Sequence, residues 1–245
     1  MLETLKRWFR LGTTPVGWNA CAVWAREQGH VFRSNREGDG LVIETADGAA
    51  RQWRLEWGAS QRPYIEGAEL RIRAEMSLPA HLQCLVVSRM LMESLEKTVY
   101  EQFTHELQTR ADTDTPEEMR WLVLYPKLNT RELHGLKSSF GAVGNLTGPV
   151  ALWLEGALAR RLLEARQSWL RVEDPLVLMV HRGRLTLRAA MPTLDEQRLP
   201  ALASLFGLAQ RELLRMAEAL RQSGDVPSTM PGLWEGDSEA EHSRP

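Results

Sequence analysis

Leu70-Arg-Ile-Arg-Ala-Glu-Met76 alternates at every position. Leu70, Ile72, Ala74 and Met76 are apolar, and Arg71, Arg73 and Glu75 are charged between them. A period of two belongs to a β-strand, so residues 69–76 read as a strand with one face in a core and one face wet. The stretch before it obeys the same rule. In Arg51–Trp57, Trp53, Leu55 and Trp57 face one way, and Gln52, Arg54 and Glu56 face the other. Further upstream, His30–Ser34 and Leu41–Thr45 flank the turn Arg36-Glu-Gly-Asp-Gly40, and Asp47-Gly48 is a hairpin signal. The N-terminal part is therefore an antiparallel meander.

A second stretch, Leu185-Thr-Leu-Arg-Ala-Ala-Met191, matches the first at four of seven positions. Leu176–Val180 and Arg184–Met191 form a hairpin around His181-Arg-Gly-Arg184. A long apolar helix is expected after each of the two similar strands. One reading is a duplicated strand–helix unit. The other is that alternation alone fixes the shared positions.

The remaining segments read mainly as helices. Residues 17–28 carry Trp18, Cys21, Ala22 and Ala25 on one side, with Gly29 at the C-cap. A long helix is expected over 79–108, its 82–92 part buried because it is apolar nearly all round. Further helices are expected over 149–170 and 194–222, the latter with a stripe of Leu202, Leu205, Phe206, Ala209, Leu213 and Met216. Thr115, Pro116 and Glu118 match a helix cap, first position and capping-box acid. The apolar run Trp121–Tyr125, closed by Pro126, reads as a central strand, with a helix end as the alternative. Asn129 opens a helix that carries Leu133, Leu136 and Phe140.

Together these predict an α+β protein. A meander sheet and a long helix fill residues 1–110. Helices around a β-hairpin fill 111–222, sharing one core with the first part or folding beside it. The polar stretch 109–116 is the boundary, and 223–245 is expected to be a disordered acidic tail.

The chain has 245 residues, 43% of them hydrophobic, and a net charge of −2. Such composition suits a globular domain that needs no disulfide or metal to fold. Residues 223–245 carry five acids against Arg244, a net of −4, leaving +2 on the first 222 residues. That body lacks the basic face that a nucleic-acid partner requires. Arg outnumbers Lys 26 to 4, as codon usage in a GC-rich genome produces. Cys21 and Cys84 sit in apolar patterns and read as buried thiols in a reducing compartment. No apolar run is long enough to span a bilayer, and residues 1–10 carry no apolar core of a signal peptide. A cytoplasmic location is expected.

The catalytic motifs are missing: no nucleophile elbow, phosphate loop or dinucleotide turn appears. His105-Glu106-Leu107-Gln108-Thr109 has Thr where a zinc helix needs its second His. No metal, cofactor or catalytic residue is assigned. Two regions invite a binding role. The first runs from Trp57 to Arg73, where Arg62 and Tyr64 lie on a loop and Arg71 and Arg73 on the wet strand face. Arg and aromatic side chains on a loop suit a protein or anionic ligand. The second is the Gly-rich stretch 135–148, where backbone amides with Lys137, Ser138 and Ser139 would hold an anion.

Nine of the 17 aromatic residues are Trp, most at core-facing positions. Met230-Pro-Gly-Leu-Trp234 stands apart as a short linear motif within the acidic tail. Residues 2–11, with Trp8 and Phe9 among Lys6, Arg7 and Arg10, form a short amphipathic helix able to touch a membrane surface. The favoured expectation is a cytoplasmic binding or adaptor protein with a protein partner and Trp57–Arg73 as its contact surface. The alternatives are an enzyme or anion-binding protein at 135–148, and a membrane-peripheral protein attached through residues 2–11.

Overall fold

In the computed structural model, the alternating segment is strand β4, Ala68–Glu75, near the middle of one eight-stranded sheet. The described residues are 18–34, 39–105, 115–129, 133 and 135–223. The expected amphipathic helix 2–11, most of the boundary 109–116 and the tail from 224 lie outside them.

The elements run α1 (Asn19–Glu27), β1 (His30–Ser34), β2 (Leu41–Thr45), β3 (Arg54–Ala59), β4, β5 (Cys84–Ser88), α2 (Arg89–His105), α3 (Glu117–Leu124), β6 (Phe140–Gly144), α4 (Thr147–Leu154), α5 (Ala157–Ser168), β7 (Leu176–His181), β8 (Arg184–Ala190) and α6 (Arg198–Ser223). Spatial order is β1-β2-β3-β4-β8-β7-β5-β6, with every neighbouring pair antiparallel. The α+β class, the N-terminal meander and the β7–β8 hairpin stand as read from sequence. The two similar strands lie side by side, Ile72 opposite Leu187.

One sheet face carries Ile43, Leu55, Leu70, Ile72, Val86, Leu178 and Leu187, all buried beneath α1, α4, α5 and α6. The α6 stripe packs there as its 3.6-residue spacing requires. This core draws residues from both sides of the 109–116 stretch. On the opposite face, Leu85, Val87, Val143, Val177 and Met179 form a second core with α2 and α3.

Several segments differ from expectation, for identifiable reasons. The helix over 79–108 begins only at Arg89, because Cys84-Leu-Val-Val-Ser88 is strand β5. It lies between β6 and β7 and is buried on both faces, so it has no polar alternation to reveal it. The reverse happens at Trp121–Tyr125. It belongs to helix α3, which buries Glu118, Met119, Trp121 and Leu122 and leaves Val123 and Leu124 exposed. Helix 149–170 is two helices, broken at Gly156, whose φ of +73° a helix cannot hold. Of the expected Asn129 helix, residues 130–132 and 134 lie outside the described residues; Leu136–Ser138 is a 3₁₀ turn, and Phe140 already begins β6.

Within the Gly-rich stretch, Leu136–Ser138 is a 3₁₀ turn, Phe140–Gly144 is β6 and Thr147 opens α4. Phe140–Gly144 is fully buried and paired with β5. A Cβ at Gly141 would overlap Met92 Sδ, so this glycine admits α2 onto the sheet. The Leu136 and Ser139 amides donate to the Leu133 and Leu136 carbonyls. Lys137 and Ser138 lie exposed on the turn, with Ser139 partly buried after it.

Among the described residues no helix is long and apolar enough to cross a membrane. Cys21 and Cys84 are free, buried thiols.

Candidate functional site

The second sheet face changes character along a single row. Glu56, Arg71, Arg188, Val177, Val87 and Gly141 stand side by side across β3, β4, β8, β7, β5 and β6. The next row reads Arg54, Arg73, Thr186, Met179, Leu85 and Val143. One half of the face is charged and the other apolar.

In the charged half, acids separate the arginines. Glu69 Oε1 accepts from Arg71 Nη1 at 2.9 Å and from Arg188 Nη1 at 2.6 Å. Glu56 accepts from Arg71, from Arg73 Nη2 at 3.0 Å and from Arg54 Nε at 2.6 Å. Burial opposes ionisation of Glu56, but the hydrogen bonds and charges of Arg71, Arg73 and Arg54 prevail and bring its pKa to about 2. Glu69, Arg71 and Arg188 are buried, whereas Arg54 and Arg73 keep the outer side of the network in contact with water.

The lid over it is the β3–β4 loop. Its ends meet where the Ser60 amide donates to the Gly67 carbonyl at 2.9 Å, and its interior is held by Ser60 Oγ on Arg62 and by buried Ile65. Arg62 and Tyr64 both donate to the carboxylate of Glu118, which is 1% exposed. Burial would push the Glu118 carboxyl up, yet the Arg62 and Tyr64 hydrogen bonds hold it low. The same burial, with the Glu118 charge, pushes the Tyr64 phenol up.

The structure thus divides the Trp57–Arg73 candidates into three groups. Arg62 and Tyr64 meet at Glu118. Arg71 and Arg73 meet at Glu56. Trp57 lies on the other sheet face, donating from Nε1 to the Met191 carbonyl at 2.8 Å and packing edge-on against Trp18. These five side chains do not form one outward surface, because their polar groups are engaged within the fold. The sequence pattern assigns Glu118 to a capping box, but Pro116 holds the N-cap position with no side-chain cap. Nothing local marks Glu118 as the residue that ties α3 to a loop 54 residues upstream.

One further polar pair lies beside α3. His181 Nδ1 is 2.6 Å from Glu117 Oε2, with the Trp121 ring edge-on to the imidazole. Burial and the nearby Arg182, Arg184 and Arg120 charges lower the His181 pKa against the pull of Glu117. Among the described residues no group of three His, Cys, Asp or Glu side chains is placed to hold a metal ion.

Among the described residues the apolar half is not completely covered. Between α2 and α3 an open cleft of about 690 Å³ has Val99 and Leu122 as its floor and Tyr100 and Val123 as its walls. Val99 and Leu122 are buried, whereas Tyr100 is 70% and Val123 55% exposed. Leu124, next along α3, is 70% exposed. Lys127 Nζ reaches Glu96 at 2.9 Å across the rim. Reading Trp121–Tyr125 as a buried strand conceals this feature, since an exposed wall exists only if that run is helical. No protein-family model, curated protein or solved structure matches the chain.

Proposed function

We propose that this chain is a cytoplasmic, non-catalytic binding module whose α2–α3 cleft receives a short apolar segment of a partner protein. The observation that carries the reading is the exposure of Tyr100 and Val123 beside the Val99–Leu122 floor, with Leu124 exposed next along α3. Large exposed side chains gathered at a groove mark interaction surfaces more often than singly scattered ones do. The groove lies between two helices and has a charged rim, the arrangement used to take apolar anchors from a peptide.

The charged half of the sheet has a supporting role in this reading. Arg62 and Tyr64 fix α3 through Glu118, and α3 supplies one wall of the cleft. The two free buried thiols suit a reducing compartment.

Panning a display library of short peptides on the full chain tests the reading. Selected sequences should share an apolar anchor, and Val123→Asp should weaken their binding at least about tenfold while the protein stays folded. Selected peptides that bind Val123→Asp as well as the parent would overturn it.

A further inference from the structure

The cleft lies beside edge strand β6. Helix α6 begins near α1, where Asp195 and Glu196 act on the Cys21 thiol. It then passes α5, where Arg161 reaches Ser204 at 3.4 Å, and α4, where Trp153 Nε1 donates to the Ala209 carbonyl at 3.0 Å. Arg215 donates to the Leu152 carbonyl further on. The later part of α6 therefore lies beside α4, which directly follows edge strand β6.

The cleft flanks the same strand from the other face. Lys127, on its rim, bridges to Val143 of β6, and the Gly144 amide donates to the Pro126 carbonyl. The two helix layers are separated by one sheet, on the order of 20 Å between their axes. Trp234 is 11 residues beyond Ser223, a length of chain that spans up to about 36 Å. Residues 224–234 can therefore pass around the β6 edge from α6 to the cleft.

We propose that the cleft is occupied in the resting protein by Met230-Pro-Gly-Leu-Trp234 of the same chain, which a partner segment must displace. This rests on the reading of the cleft as a peptide site. The segment has the required chemistry. Leu233 and Trp234 are two large apolar side chains in a stretch otherwise rich in Ser, Gly, Pro and acids. An apolar floor with Tyr100 and Val123 walls accepts an indole, which gains by burying its rings against them. The rim has Lys97 and Lys127 balanced by Glu93 and Glu96, so the apolar side chains and not charge select the segment. Tethering makes the tail an intramolecular competitor at an effective concentration near the millimolar range. A displacing segment therefore binds more weakly than the cleft alone would allow.

The test places a spin label on Ser228→Cys in the full chain. Cys21 and Cys84 are buried, with thiols pushed up to about 11 and 12 chiefly by burial, so labelling is selective. The label should broaden amide signals in 96–101 and 121–127, and Leu233→Ala with Trp234→Ala should abolish the broadening. The same double substitution should raise affinity for a library-selected peptide about tenfold. Broadening spread evenly over the surface, or confined to the 60–73 region, would overturn the proposal. So would broadening that appears only when spin-labelled copies are mixed with unlabelled isotope-enriched ones, because the tail then occupies another molecule. If the selected peptide binds the parent and the double variant equally while Val123→Asp weakens both, tail docking fails and the peptide-site reading stands. If broadening is seen at the cleft but no library peptide binds either protein, tail docking stands and the partner reading fails.

Discussion

The two halves of the second sheet face solve one burial problem with opposite chemistry. Over β5, β6 and β7, the row Val177, Val87, Gly141 presents a smooth apolar surface on which α2 and α3 lie. Over β3, β4 and β8 the same row becomes Glu56, Arg71 and Arg188, and a loop closes it. The apolar half gains stability from area removed from water and accepts a helix without fixing its position sharply. The charged half gains little net stability, since desolvation offsets much of the attraction, but each donor must find its acceptor. Helix α3 spans the border, with Met119, Trp121 and Leu122 in one medium and Glu118 in the other. The apolar contacts hold it down and the Arg62–Glu118–Tyr64 contacts set where it sits.

This contrast can be broken most forcefully at Glu118. Glu118→Ala leaves Arg62 and Tyr64 without their buried partner and should lower unfolding free energy by about 3–5 kcal/mol in urea titration. If the contacts serve position rather than net stability, Arg62→Met, Tyr64→Phe and Glu118→Leu together should recover most of that loss. The triple variant should nevertheless bind cleft peptides more weakly. Full recovery of both stability and binding would remove the positioning role.

In the apolar half, Gly141→Ala should cost about 1–3 kcal/mol, because its Cβ would overlap Met92 Sδ and the Met92 side chain is itself buried. Met92→Ala alone opens a cavity, yet combined with Gly141→Ala it should lose less than the two separate losses added together. A double-mutant cycle in urea reads that coupling directly, and strict additivity would contradict the close approach.

Acid should separate the halves by a smaller margin. Glu56 has a folded pKa of about 2 against an ordinary value of 4.5. Its contribution is present in full above pH 4.5 and is lost as pH falls through the folded value. After screening, that amounts to roughly 1–2 kcal/mol. Stability of the parent should fall between pH 4.5 and 2, and Glu56→Gln should flatten that fall. The smallest change in stability is expected at the cleft wall. Val123→Asp should shift unfolding by less than about 0.5 kcal/mol while weakening peptide binding.

The same contrast explains which parts were legible in the sequence. Strands β3 and β4 could be read because one side is a core and the other is charged, so every second residue announces its face. Strand β5 could not, because both of its faces are apolar and Cys84-Leu-Val-Val-Ser88 carries no period. Helix α3 was hidden by the opposite circumstance. Val123 and Leu124 are apolar yet exposed, which filled in the polar side that would have shown a helix. Arg62, Tyr64, Arg71 and Arg73 stood out as chemistry-bearing residues, but their acceptors Glu118, Glu56 and Glu69 lie on three different elements. Which acid each Arg would meet depends on strand order, and β8 inserting beside β4 is a long-range choice that no local pattern records. The apolar segment Met230–Trp234 within the acidic tail was legible as a motif, while its proposed seat became visible only once α2 and α3 were placed together.

The central claim is that binding occurs at the α2–α3 cleft and not on the Trp57–Arg73 region. Amide shift mapping of the full chain, titrated with a library-selected apolar peptide, tests it most directly. The account predicts changes concentrated in 93–101 and 121–127, with 54–73 little affected. Changes centred on 57–73, or no saturable change anywhere, would contradict it.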